Sequence, residues 1–390
     1  MKEKINVNKT SDGKQFYSYL DLNKLSKEIY ENMRIPKKEM KRWKLGVRGI
    51  KQMEIDVFKK NNGEKKETYS QDWTAYNQAQ QKEKVLLMNI LNELLDYIPF
   101  PKRKGVGRKP LSIKDKIFHI VLQSYNLKSS RRCVSDLEIA KRLGYLEKAP
   151  HFNSVLKSLR DPSITNYLNH LIEVSGLPLK NVESDFAIDS SGFSTSQFDR
   201  WLDVRAEPNS MKRRFKKCHL TCGVKTNIIT AVNITKARAS DSNEFPDLVK
   251  KTNKLYDIRE ISADKAYLSK KHFLLVSQIG GIAYIPFKKN TTGKRGSTKL
   301  WGDMYRYFLN HQEEYMQHYH KRSNSETVFH MLKTKFSKHL RSKDESGQTN
   351  EILAKCLCHN LCVLIQESFE LGIELDFKKC AEIPIAHIYR

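Results

Sequence analysis

The chain has only seven cysteines and none before Cys133. That excludes a disulfide scaffold and leaves no cysteine zinc module at the N-terminus. The opening residues, MKEKINVNKTSDGK, hold no apolar run, so no signal peptide is expected there. No uninterrupted stretch of about 18 apolar residues is found, so no transmembrane helix is expected. Nor does any segment set a Lys-rich face against a Trp, Phe and Leu face, which argues against a membrane surface as partner. No internal repeat stands out. Without a secretion signal, the cysteines are expected as reduced thiols and the location as cytoplasmic.

Acidic residues are also scarce relative to basic ones. Lys and Arg total 70 against 44 Asp and Glu, a net charge of +26. Such an excess attracts polyanions, and nucleic acid is the commonest one met by so basic a chain. Hydrophobic residues make up 39% of the 390, enough to build cores and to exclude wholesale disorder.

Residues 1–70 are rich in Lys, Asn and Glu, with a weakly helical piece at Leu22–Met33 and a solvated linker at Lys59–Lys66. A long amphipathic helix follows within 71–101 and stops before Pro99. Trp73 and Tyr76 on it are expected in a core. Residues 102–110 form a basic linker whose Arg103, Arg108 and Lys109 sit among glycines, suited to lying along phosphates. Residues 111–178 read as all-helical: Ile113–Tyr125, Asp136–Leu143 and His151–Arg160. The sequence LEIAKRLGY, with a turn and another helix after it, has a helix-turn-helix pattern. It makes Lys141 and Arg142 candidate DNA contacts.

From Val182 the period changes. Phe186–Ile188 is a short strand ending at Asp189. His219–Val224 and Ile228–Ile234 form a hairpin around Lys225, Thr226 and Asn227. Helix Asn243–Tyr256, strand Ile258–Ala263, helix Leu268–Gln278 and strand Ile282–Phe287 come next. A long helix at Glu313–Phe336 and an apolar one at Asn350–Leu371 end the series. This order fits a mixed five-stranded ribonuclease H-like sheet with helices, over 179–372, with 373–390 as a tail.

Asp189 and Asp264 each follow an apolar strand, in FAIDSSG and EISADKAY. A strand end holds a carboxylate rigidly, and hard cations such as Mg²⁺ take oxygen ligands while keeping water and phosphate for the rest. An Asp after a strand also serves as turn former or cap, and Asp185, Asp199, Asp203, Asp241 and Glu244 compete. On the helix YHKRSNSETVFHMLKTKF, Tyr319, Arg322, Glu326 and Lys333 are spaced to share one face. That face joins a carboxylate for metal to a guanidinium and an ammonium for phosphates and a phenol for contact.

The spacing Tyr319, Arg322, Glu326, Lys333 resembles the C-terminal signature of DDE transposases of bacterial and archaeal insertion sequences. DKAY and AIDSSG resemble the motifs around that family's two aspartates, and ASDSNEF at Ala239–Phe245 its first helix after the hairpin. The resemblance spans roughly residues 105–370. It implies that Asp189, Asp264 and Glu326 are the catalytic metal ligands for two Mg²⁺ ions, with Mn²⁺ as substitute. It further implies that Tyr319, Arg322 and Lys333 contact DNA. It implies double-stranded DNA as substrate, both element ends and target, a homodimer or larger assembly, nucleoid association and no nucleotide cofactor. The chemistry implied is strand cleavage at terminal inverted repeats, then attack of the freed 3′ hydroxyl on target. Alternatives are a host nuclease of the same fold, or a transposase-derived DNA-binding protein that no longer catalyses. The short gap between Asp264 and Glu326 leaves no room for a β-rich insertion. Cys356, Cys358, His359 and Cys362 lie too close on one apolar helix for a zinc fold and read as core. Trp201 and Trp301 are placed in loop-like segments, where packing is the expected job.

Overall fold

The computed structural model describes residues 72–101, 110–195, 215–289, 291 and 299–378, plus a strand pair at Asn8–Lys9 and Gln15–Phe16. That pair belongs to a separate compact unit, Met1–Gln71, and the remainder to a second unit, Asp72–Arg390.

The second unit is built on one mixed sheet. Its strands are β1 (Asp185–Ser194), β2 (Phe215–Gly223), β3 (Ile229–Lys236), β4 (Glu260–Ala263) and β5 (Ile282–Tyr284). Their spatial order is β3-β2-β1-β4-β5, antiparallel across the first three and parallel from β1 through β5. This is the ribonuclease H-like arrangement expected from the element order. The tight β2–β3 connection needs a left-handed residue, and Asn227 supplies it at φ 62°.

Among the described residues, five α-helices precede the sheet: α1 (Trp73–Asp96), α2 (Ile113–Asn126), α3 (Ser130–Arg142), α4 (Phe152–Leu159) and α5 (Ser163–Ser175). Within or after it come α6 (Asp241–Asn253), α7 (Lys270–Gln278), α8 (Lys299–Asn310), α9 (Gln312–His320), α10 (Ser323–Phe336) and α11 (Glu345–Glu370). The N-caps follow local chemistry: Asp72, Ser112, Ser129 and Asp344 each accept a backbone N–H of the first turn.

The sheet separates two cores. Ala187 and Phe193 of β1 join one core with α1 to α5, α10 and α11. Phe186 and Ile188, facing the other way, join α6, α7 and α8. The N-terminal helices therefore share a core with the sheet through α11. That helix has an 18-residue window of mean hydropathy 1.2, long and apolar enough to cross a membrane by length and composition. Yet 72% of the window is buried in the protein, as the central helix of a core must be.

Several sequence expectations shift. Trp73 is 66% exposed rather than in a core, because it sits in the first turn of α1, ahead of the buried stripe. Trp301 lies on α8, not in a loop, and packs edge-on against Phe273 and Phe287. The expected helix Glu313–Phe336 is two helices, broken at Lys321 and Arg322. α3 is longer than expected, and α5 is a further helix within the stretch expected to be all-helical. Residues 143–151 separate α3 from α4, longer than the three- or four-residue turn of a helix-turn-helix.

Candidate active site

Asp189 is not at the end of β1 but in its middle. It is the end of the parallel ladder that falls there: Ile188 opposite Ala263 is the last β1–β4 pair. Asp189 and Asp264 are the next residue on each strand, so the register sets them side by side. Beyond this point β4 turns into a short 3₁₀ segment, with the Tyr267 N–H donating to Asp264 O at 2.9 Å, and the backbone of Asp264 stays extended. β1 continues alone against β2. The aspartates thus mark a fork in the sheet, where the strand ends open toward solvent.

Successive side chains of β1 alternate between faces. Asp185, Asp189 and Ser191 share a face, and each meets a cation from the α9–α10 segment. Lys321 donates to Asp185 at 2.7 Å, Arg322 to Asp189 at 2.9 Å, and Lys333 to Ser191 at 2.5 Å. This explains the break between α9 and α10. Lys321 and Arg322 are consecutive, yet they reach carboxylates four residues apart on β1. Tightened i to i+3 bonds from Arg322 N to Tyr319 O and from Ser325 N to Arg322 O carry the chain across.

Arg322 also donates to Glu326, so one guanidinium ties Asp189 on the sheet to the acid on α10. Its charge lies 5.9 Å from the centre of the Tyr319 ring. All four residues of the spacing are therefore gathered beside β1, although the helix is interrupted. Lys333 stands between the rings of Phe193 and Phe329, and burial pulls its pKa down.

Charge concentrates on Asp189. Burial pushes its carboxyl above the ordinary range, and the nearby charges of Asp264 and Glu326 push the same way. The Ser190 N–H, at 2.8 Å, and Arg322 oppose them. The donors here are carboxylate oxygens only, the class that hard divalent cations take. Among the described residues no three His, Cys, Asp or Glu side chains stand close enough together to hold one ion. A pair of carboxylates per ion, with water and phosphate as the remaining ligands, does not need three at one point. The all-oxygen donor set and its mutual repulsion fit divalent cations.

Sequence reasoning missed the support around this site. Asp185, weighed as a competing acid, is instead bound by Arg259 at 2.7 Å and by Lys321. Glu260 on β4 takes Lys321 and His318, at 2.7 and 2.8 Å. The signal was available, since Asp185 and Asp189 are four apart on a strand and must share a face. On the opposite face Ser190 donates to Asp241 at 2.7 Å, and Lys217 pairs with the same oxygen at 2.6 Å. Asp241 is thereby neutralised away from the fork, and Glu244 is taken up by Asn233.

Lys141 and Arg142 are exposed at the end of α3 and make no hydrogen bond or ion pair with Asp189, Asp264 or Glu326. Arg103, Arg108 and Lys109 lie outside the described residues, as do Asp199, Trp201 and Asp203. Cys356, Cys358 and Cys362 are unpaired thiols on α11. Burial raises the Cys358 and Cys362 pKa values, the latter to about 12, so they pack as neutral groups.

A cryo-EM structure of a piggyBac transposase synaptic complex with hairpin DNA aligns with 78% of this chain and 77% of that one. The identity is 11% and the TM-score 0.33. A family model described as a transposase DDE domain matches residues 180–361, the stretch from just before β1 into α11 that holds Asp189, Asp264 and Glu326. Residues 180–361 of this chain are thus similar to a transposase DDE domain.

Proposed function

We propose that this chain is a DNA transposase that cuts DNA at the ends of its own element and joins the freed 3′ hydroxyl to target DNA. The observation that carries the reading is the fork: Asp189 and Asp264 side by side at the end of a parallel ladder, with Glu326 tied to Asp189 through Arg322.

Asp189, Asp264 and Glu326 would hold the divalent cations that DDE transposases generally use. When bound, such ions acidify an attacking water and steady the charge on a departing 3′ oxygen. Burial and the nearby charges of Asp264 and Glu326 all push the Asp189 carboxyl up, and a cation bound among them would relieve that repulsion. Arg322 keeps Asp189 and Glu326 in register while the site waits. Once a phosphate arrives, its planar fork of donors can turn to the phosphate oxygens. Lys333 supplies a second cation two residues further along β1. Tyr319 flanks Arg322 and offers a ring and a hydroxyl to the DNA. No side chain is required as a covalent nucleophile, because water and then the 3′ hydroxyl serve.

The test is strand cleavage on DNA taken from the flanks of the gene, with Mg²⁺ or Mn²⁺, for wild type, Asp189→Ala and Glu326→Ala. Cuts at the repeat ends that vanish in both variants support the reading. Metal-dependent cuts that ignore the ends would replace it with a nuclease. Specific binding without cleavage would replace it with a DNA-binding protein. Covalent trapping of DNA on Tyr319 would overturn the mechanism.

A further inference from the structure

Cations follow β1 outward from the fork. Arg322 meets Asp189 and Lys333 meets Ser191. The next contact is Ser194, and it is made by the segment that follows α10. The Ser194 N–H donates to Lys338 O at 3.0 Å, and the Leu340 N–H donates to Ser194 O at 2.8 Å. That segment, Ser337–Lys343, reads SKHLRSK. Lys338, Arg341 and Lys343 are exposed, and among the described residues none of the three has a carboxylate at ion-pair distance. Neighbouring cations differ. Lys335 is bound to Glu83, and Lys216 to Glu345 at 2.8 Å.

The backbone of this segment is fixed from beneath. Lys355, 1% exposed, donates to Ser337 O at 3.2 Å and to His339 O at 2.9 Å. Its partner Glu351, at 3.1 Å, accepts the N–H groups of Arg341 and Ser342, both at 2.9 Å. Leu340 is buried between them. An ion pair taken out of water is costly unless its remaining donors and acceptors are satisfied. Here the loop itself satisfies them, so the pair and the loop hold each other. The result is a rigid backbone that presents three unpaired cations, with little ordering left to do on binding.

We infer that Ser337–Lys343 contacts the phosphates of duplex DNA and that, with Arg322 and Lys333, it leads the duplex away from the fork. The inference rests on the reading above for which phosphate is cut, but contact itself needs no cleavage. Ser194 is five residues beyond Asp189, or about 17 Å at the strand rise of about 3.3 Å per residue. One DNA strand advances about 3.4 Å per nucleotide along the helix axis. The loop therefore meets phosphates about five base pairs from the cut.

Two variants of the full chain test this: K338Q/R341Q/K343Q, and the charge-retaining K338R/R341K/K343R. Affinity for a duplex carrying the element end is measured across a salt series with EDTA present, so that nothing is cut. The glutamine variant is expected to lower the slope of log K against log salt by about two to three, near 0.9 for each lost contact. The charge-retaining variant is expected to keep the slope. Hydroxyl-radical protection about five base pairs from the cut is expected to disappear with the charges. An unchanged slope in the glutamine variant would overturn the inference, and so would an equal fall in the charge-retaining one. If wild type never cuts but the glutamine variant still loses slope, the transposase reading falls and the phosphate contact stands. If wild type cuts and the slope does not move, the contact falls alone. The clamp uses backbone atoms of the loop, so both variants should melt as wild type does.

Discussion

α10 and α11 are consecutive helices, and both carry polar residues in a pattern that invites chemistry. They use them differently. On α11, Asn360 and His359 end chiefly on the protein's own backbone. Asn360 accepts the Ile229 N–H at 2.9 Å and donates to Ile229 O at 2.7 Å and Ser175 Oγ at 2.9 Å. His359 meets Asn227 O at 2.9 Å, and burial lowers its pKa to about 4, so it is neutral at physiological pH. At the start of α10 the polar side chains end on other ionisable groups at a partly open place: Arg322 on Asp189 and Glu326. A buried polar group saturated by backbone fixes a fold, because its unmade bonds would be costly. A charged group paired with another at a solvent-facing fork can exchange that partner for a ligand.

The sharpest way to break this contrast is Asp189→Asn. Loss of one charged ligand is expected to cost about 4 kcal/mol at the transition state, on the order of 10³-fold in cleavage rate. The melting temperature should move by less than about 3 °C. A collapse in stability would show that Asp189 is as structural as Asn360.

Asn360→Ala should do the reverse. It strands the Ile229 N–H and C=O inside the core and is expected to destabilise by about 2–4 kcal/mol. Denaturant unfolding measures this, and cleavage per folded molecule should be unchanged. A variant that stays stable but cuts poorly would move α11 into the site.

Arg322→Ala is intermediate. Cleavage is expected to fall by about 10–100-fold, the value of one to two charge-assisted bonds. Circular dichroism should show the fold retained. Normal cutting would remove Arg322 from the site.

The smallest effect concerns the exposed end of α11. Glu367 has its pKa raised to about 7, first by burial and then by Glu370 and Glu183. Its unfolded value is about 4.3. Between those values the folded state holds a proton that the unfolded state has lost, so stability declines as pH rises toward 7 and is level above it. Glu367→Gln should flatten that decline, as read from melting at pH 5 and pH 8. An unaltered profile would mean that Glu367 is not the group responsible.

Much of the site was legible because its parts obey short-range rules. A strand-end aspartate, the Lys225–Asn227 turn and the spacing from Tyr319 to Lys333 are all local patterns. What stayed hidden was decided across the chain. The break at Lys321 has no Gly or Pro to announce it; it exists because Asp185 and Asp189 draw two consecutive cations apart. Trp301 reads as part of a loop-like segment, yet it lies on α8, packed among Phe273, Phe287 and Lys270. Trp73 reads as core because its helix is amphipathic, but it sits in the first turn of α1, ahead of the buried stripe.

The sequence by itself determined the basic character, the order of the strands and the residues at the fork, since composition, period and spacing are properties of neighbours along the chain. Tertiary structure decided which acids are neutralised and which are left to converge. Asp185, Glu260 and Asp241 each acquired a cation from a distant element. Asp189 was set beside Asp264 and near Glu326, because electrostatics depends on distance in space, which only the sheet register fixes.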